Sequence, residues 1–211
     1  MSYYQYGVYL MPPPRLMYQI GVAHTLLTTE FNCRTAGAFM AHCTLKGFTK
    51  LAEGRTVEEF TPALDDLFAR TSVFETALDE LWDLNRGPGK SSILLGMRRT
   101  DAFLALHNAI WDVVRPYIAV DDLFSPVEPA GPNFPPNITL VQGDAPSEPG
   151  LHAQIMGLCQ HLFDTALKGS FQAQDLQLIE FYSEDWAGKW WETLRFRQLK
   201  GWRLNEAVER F

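Results

Sequence analysis

Two short segments of this chain carry the residue types that proton transfer and hydrogen bonding ask for. One reads His42-Cys43-Thr44-Leu45-Lys46 and the other Asn137-Ile138-Thr139-Leu140-Val141, with a Thr-Leu pair at the same offset. An imidazole exchanges protons near neutral pH, and a hydroxyl can hold an anionic oxygen. A carboxamide donates and accepts hydrogen bonds but does not titrate usefully. Side chains alternate across a strand. As strands, the first segment would turn His42, Thr44 and Lys46 away from Ala41, Cys43 and Leu45, and the second would turn Asn137 and Thr139 away from Ile138 and Leu140. Each segment then has one polar and one apolar face.

Such segments need a scaffold, and the punctuation of the chain supplies one. Breaks fall at Pro12 to Pro14, at Gly87-Pro88-Gly89, over residues 125–136 with their five prolines, over residues 143–150, and at Gly169. Tyr6, Val8 and Leu10 alternate as in a strand. Pro14 opens a helix running to about Leu27, residues 39–46 return to strand spacing, and Thr61 with Pro62 reads as an N-cap and first helical residue before Leu64, Leu67 and Phe68. Residues 73–82 complete the first half as a strand. After the Gly87 turn the order recurs: a strand over 92–97, a helix capped by Thr100 with Phe103, Leu106, Ile110 and Val114 in its stripe, and a strand over 137–142. A helix carrying Leu151, Ile155, Leu158 and Leu162 follows, stopped by Gly169. A closing hairpin of residues 176–182 and 190–199 surrounds residues 185–189. Each half thus reads strand, helix, strand, helix, strand, which predicts a duplicated α+β unit: one domain over 1–211, divided into halves of about 1–85 and 86–211. A pseudo-two-fold would bring the polar faces of the two segments together across a cleft.

At this point His42-Cys43-Thr44-Leu45-Lys46-Gly47-Phe48 resembles the first motif of the two-histidine (2H) phosphoesterase superfamily, in its 2′-5′ RNA ligase-like and cyclic phosphodiesterase-like branch. The signature of that family is a pair of His-x-Thr/Ser motifs on facing strands. The resemblance implies a bilobal fold of two mixed or antiparallel sheets with helices packed outside and a central cleft. It also implies in-line displacement at a cyclic phosphate or a 2′-5′ linkage, with neither metal nor cofactor. His42 becomes the proton-transfer group, and Thr44 and Thr139 hold phosphate oxygens. Asn137 stands where the family has its second histidine, as a hydrogen-bond partner that cannot exchange a proton. Losing one general acid or base costs ~10²- to 10⁴-fold in rate. The expectation is therefore a slow hydrolase or, alternatively, a non-catalytic nucleotide-binding or protein-interaction module. Lys46 is a candidate to neutralise the phosphate, with a solvated edge lysine as the rival reading. Phe48 and Tyr182 are candidates to stack on a base, with core packing as theirs.

Composition narrows the ligand. A net charge of −7 opposes a grip on long nucleic acid through its phosphates, so the expected partner is a small phosphodiester or nucleotide, or a short RNA end. With 46 % hydrophobic and 20 % charged residues the chain should fold. Residues 1–6 lack the start of a secretory signal, and the apolar run over 103–114 is interrupted by His107, Asn108 and Asp112. Cys33, Cys43 and Cys159 form no Cys-x-x-Cys pair. A cytoplasmic protein in a reducing compartment, with no membrane partner, no disulfide framework and no thiolate metal site, is expected.

Other signals are set aside. Gly89-Lys90-Ser91 lacks the upstream glycine of a phosphate loop and reads as a hairpin turn. Asn137-Ile138-Thr139 matches a glycosylation acceptor without a secretory context. His24, His107, His152 and His161 fall on helices without metal-ligand spacing and read as structural or solvated. Trp186, Trp190, Trp191 and Trp202 read as hairpin packing, and Arg195 and Arg197 as a solvated strand face.

Overall fold

The protein is described by a computed structural model over residues 3–84, 91–119, 131–146 and 148–205. Its elements follow the expected alternation: β1 (Tyr4–Met11), α1 (Pro14–Phe31), β2 (Cys43–Thr49), α2 (Thr61–Arg70), β3 (Phe74–Leu84), β4 (Ser92–Met97), α3 (Asp101–Val114), β5 (Asn137–Gln142), α4 (Pro149–Phe163), β6 (Ser170–Ala173), β7 (Asp175–Tyr182) and β8 (Arg195–Arg203). The Gly87 turn, Gly89-Lys90 and the first half of the proline-rich stretch, residues 125–130, lie outside the described residues.

Local chemistry accounts for most boundaries. Proline occupies the first turn of α1, where its missing N–H costs nothing, and Asn32 closes that helix in the left-handed region at φ 58°. Thr100 caps α3, its hydroxyl accepting from the Phe103 N–H at 3.2 Å. Thr61, expected to cap α2, is its first helical residue. The turn before it carries its own capping box, Thr56 with Glu59, and the Thr61 hydroxyl donates back to the Val57 carbonyl at 2.7 Å. The strand expected over 39–46 begins at Cys43, and the second hairpin strand begins at Arg195, because residues Trp190–Glu192 form a 3-10 turn that buries Trp190.

The α+β class and antiparallel pairing stand as expected, and the sheets of the two lobes join into one. The eight-stranded sheet runs β6-β3-β4-β5-β2-β1-β7-β8 with every ladder antiparallel. The join is a single residue pair, Cys43 opposite Ile138. Sheet halves and sequence halves interleave: β3 crosses to lie beside β4, and the closing hairpin β7-β8 returns beside β1.

One face of the sheet is roofed by all four helices. Leu16, Ile20 and Leu27 of α1, Leu64 and Phe68 of α2, Phe103 and Ile110 of α3, and Ile155 and Phe163 of α4 share a single core with Val8, Leu10, Cys43, Leu45, Leu95, Ile138 and Leu140 from the strands. The opposite face carries a separate aromatic cluster on the β2-β1-β7 side: Tyr9, Met11, Phe39, Ile179, Phe181, Trp186 and Trp190. Among the described residues no helix is long and apolar enough to cross a membrane.

Candidate functional site

The pair at the join places the two segments. Cys43 and Ile138 are each 1 % exposed and point into the helix-covered core. Their chain neighbours therefore project to the open face, with His42 coming opposite Thr139 and Thr44 opposite Asn137. Strand geometry puts these four residues within about 10 Å of one another. A second contact ties the segments: the Cys43 thiol, pushed up to about 12 by burial, is hydrogen-bonded with the backbone of Asn137. Thr44 is exposed, and His42, Asn137 and Thr139 are half-buried.

The two segments repeat each other beyond their sequence. His42 Nδ1 bonds the Met40 carbonyl at 2.9 Å, and Asn137 Nδ2 donates to the Pro135 carbonyl at 2.7 Å, each reaching two residues back. Both central strands then bulge at the leucine after the threonine. Along β2, Thr44 pairs with Tyr9 and Lys46 with Val8, so Leu45 is skipped. Along β5, Thr139 pairs with Leu94 and Val141 with Ile93, so Leu140 is skipped. The shared Thr-Leu pair is thus the sequence trace of a shared backbone irregularity.

These bonds fix the chemistry of the two motif side chains. A carbonyl only accepts, so Nδ1 of His42 carries its proton and Nε2 keeps a free lone pair. By the same logic Asn137 commits an amide hydrogen to Pro135 and retains its carbonyl oxygen and second N–H. The His42 ring lies on Phe39 (centroids 4.6 Å, 24°) and meets the edge of Tyr9 at 4.7 Å. Burial among these rings lowers His42 to about 4; the Met40 carbonyl opposes that shift, and nearby His24 adds to it. His42 is therefore neutral at physiological pH and stands as a base.

The bulge relocates Lys46. Once Leu45 is skipped, Lys46 shares the face of Val8 rather than that of Tyr9 and His42. It is 3 % exposed, with Nζ 4.4 Å from the centre of the Trp111 ring on α3, so it lies on the helix side of the sheet, away from Thr44. Phe48 does share the open face. Its ring is wedged among Phe181 at 4.8 Å, Trp186 at 5.3 Å and Trp190 at 5.5 Å, a floor beneath the closing loop rather than a free platform. Tyr182 is brought to neither place. Phe181 and Ile179 belong to the aromatic cluster, so Tyr182 points to the other face. It lies about 17 Å along β7 from Gln177, which is in row with Tyr9 and Thr44. It packs instead on Tyr3 and Tyr4 at 5.8 and 5.4 Å.

Two helix histidines that the sequence marked as structural hold the central strands. His24 Nε2 bonds the Thr139 carbonyl at 3.1 Å from α1, and His107 Nδ1 bonds the carbonyl of the bulged Leu45 at 2.8 Å from α3. Burial lowers both. Among the described residues no group of three histidine, cysteine, aspartate or glutamate side chains is placed to hold a metal ion. A cavity of about 490 Å³ is lined by residues of α1 and the segment before β2, among them His24, Gly37, Phe39, Met40 and Ala41.

No family model and no curated protein matches the sequence. Solved structures do match the fold. E. coli LigT complexed with 3′-AMP superposes with a TM-score of 0.56 at 19 % identity, over 97 % of this chain and 100 % of that one. TT0787 of Thermus thermophilus gives 0.57 at 15 % identity, over 97 % and 100 %, and a crystal structure described as a phosphoesterase gives 0.53 at 20 %, over 96 % and 99 %. The chain has the fold of LigT and these structural relatives over nearly its whole length, the fold that the two-histidine resemblance implied.

Proposed function

We propose that this protein is a 2H phosphoesterase-like protein that binds a small phosphodiester, such as a 2′,3′-cyclic nucleotide or a short RNA end, across the join of β2 and β5. The observation carrying this reading is the matched pair of segments, each with a side chain bonded two residues back, a threonine on the open face and a bulged leucine. Thr44 and Thr139 donate to the non-bridging oxygens, and Asn137 orients the phosphate through its remaining N–H. His42 Nε2 takes a proton from water as the water oxygen attacks phosphorus. The bond to the ribose 2′ or 3′ oxygen breaks, and that oxygen draws its proton from solvent because a carboxamide at 137 has none to give. That step makes the reaction slow. The crystallised complex of LigT with 3′-AMP is in keeping with a nucleotide ligand.

Restoring the missing imidazole tests this directly. Asn137→His is expected to raise hydrolysis of 2′,3′-cyclic nucleotides by ~10²- to 10⁴-fold, and His42→Ala to abolish it while the fold persists. Saturable nucleotide binding with no turnover in either the wild type or Asn137→His would favour the second reading, a non-catalytic nucleotide-binding module, which the proton-inert Asn137 supports. A protein that binds no phosphodiester, and whose His42→Ala variant is indistinguishable from wild type, would refute both.

A further inference from the structure

Phe48 and Tyr182 do not present a free ring beside the phosphate site, but another aromatic does. Trp82 on β3 pairs with Leu94, which pairs with Thr139, so all three share the open face of the sheet. Its indole does not stand over its own row. It leans along the sheet across Gly96, where an added Cβ would lie 2.5 Å from the ring carbon Cε2. Gly96 in turn pairs with Asn137. A residue with no side chain therefore lies between the indole and the carboxamide that faces the phosphate.

The tilt has a local cause. Between Leu78, paired with Met97, and Leu81, paired with Leu95, β3 carries one extra residue opposite Gly96. A bulge of this kind twists a strand and re-aims the side chains beside it. The indole N–H is held by the Glu80 carboxylate at 3.2 Å, which fixes the ring's orientation. Trp82 is half-buried, so part of the ring stays open to solvent. On the other lobe the exposed ring of Phe196 lies 6.3 Å from Phe39, with Phe39 itself against His42. Phe39 thus intervenes between Phe196 and the site, whereas the row from Trp82 to Asn137 passes over a glycine.

We infer that Trp82 is the platform on which the base of a nucleotide stacks while its phosphate is held by Thr44, Asn137 and Thr139. This rests on the phosphodiester reading above and adds to it that the ligand is a nucleotide whose base lies over the β3-β4 side of the sheet. Every base has a π face, so stacking gives affinity with little base preference.

The probes are 2′,3′-cyclic AMP and inorganic phosphate, titrated by calorimetry. Trp82→Ala is expected to weaken cyclic AMP by ~5- to 100-fold and to leave phosphate unchanged, whereas Trp82→Phe retains most of the affinity. Gly96→Val should reproduce the loss while keeping the tryptophan, because its side chain takes the space under the ring and pushes the indole out of place. Equal affinity of Trp82→Ala and wild type for cyclic AMP overturns the platform and leaves the phosphodiester site standing. So does a matching loss for phosphate, which would make Trp82 a structural support. A wild-type protein that binds phosphate but gains nothing from the nucleoside overturns the platform alone, and one that binds neither probe overturns both readings.

Discussion

The environment of His42 decides how far this site can work. The ring is neutral above about pH 4 because it lies among Phe39 and Tyr9. An ordinary histidine in the unfolded chain takes up its proton near 6.5. The folded state thus binds fewer protons than the unfolded state between these values. Stability contributed by neutral His42 is fully present above pH 6.5 and is lost as pH falls toward 4. The expected loss is on the order of 1–3 kcal/mol, discounted for partial exposure, and His42→Gln should flatten that part of the profile; urea unfolding at pH 7 and pH 4.5 checks it. Bound phosphate acts the other way, since an anion at Nε2 favours the imidazolium, so phosphate should bind more tightly as pH is lowered through this range. Of the candidate residues, the placing of His42, Thr44, Asn137 and Thr139 on one face was legible because a tripeptide motif occurs in matching places. Lys46 was not, because a strict two-residue period cannot anticipate a skipped residue, and Trp82 was invisible because its relevance comes from Gly96 on a neighbouring strand.

At the scale of elements, the two central strands share only one ladder pair and each carries a bulge, so neighbouring helices have to supply partners to their carbonyls. His107 does this for Leu45 while its ring stacks on Phe134 at 3.9 Å and 9°. His107→Ala should therefore cost ~2–4 kcal/mol through an orphaned carbonyl and a cavity, whereas His161→Ala, on the exposed face of α4, should stay within about 0.5 kcal/mol. Urea midpoints measure both, and equal effects would remove His107 from its structural role. Sequence periodicity found these helices and strands well, since the apolar stripes of α1 and α3 and the caps at Pro14 and Thr100 are local signals. It could not say which helix histidine meets which carbonyl, because those contacts span 115 and 62 residues.

For the whole molecule, duplication of element order and division into lobes turn out to be different things. The sequence halves end and begin at residues 85 and 86, yet the eight consecutive residue pairs from Tyr4↔Tyr182 to Met11↔Asp175 join the first strand to the last hairpin. β3 finds its partners, β4 and β6, only in the second half. A fragment of residues 1–85 would keep the β1-β2 ladder alone and expose Tyr9, Val8 and Leu10, each buried to within 2 % in the intact chain. A fragment of residues 86–211 would leave β7-β8 as an isolated hairpin, an arrangement only marginally stable in water. Neither fragment is expected to fold alone, while equimolar mixing should restore far-UV ellipticity and nucleotide binding together. The intact chain should unfold in one transition in which tryptophan fluorescence and ellipticity coincide, because Trp82 and Trp190 report from opposite lobes of one continuous sheet. A separately folded 86–211 fragment, or two resolved transitions, would mean that the join at Cys43 and Ile138 carries less cooperativity than the strand exchange around it implies. The site built across that join would then open and close with the lobes.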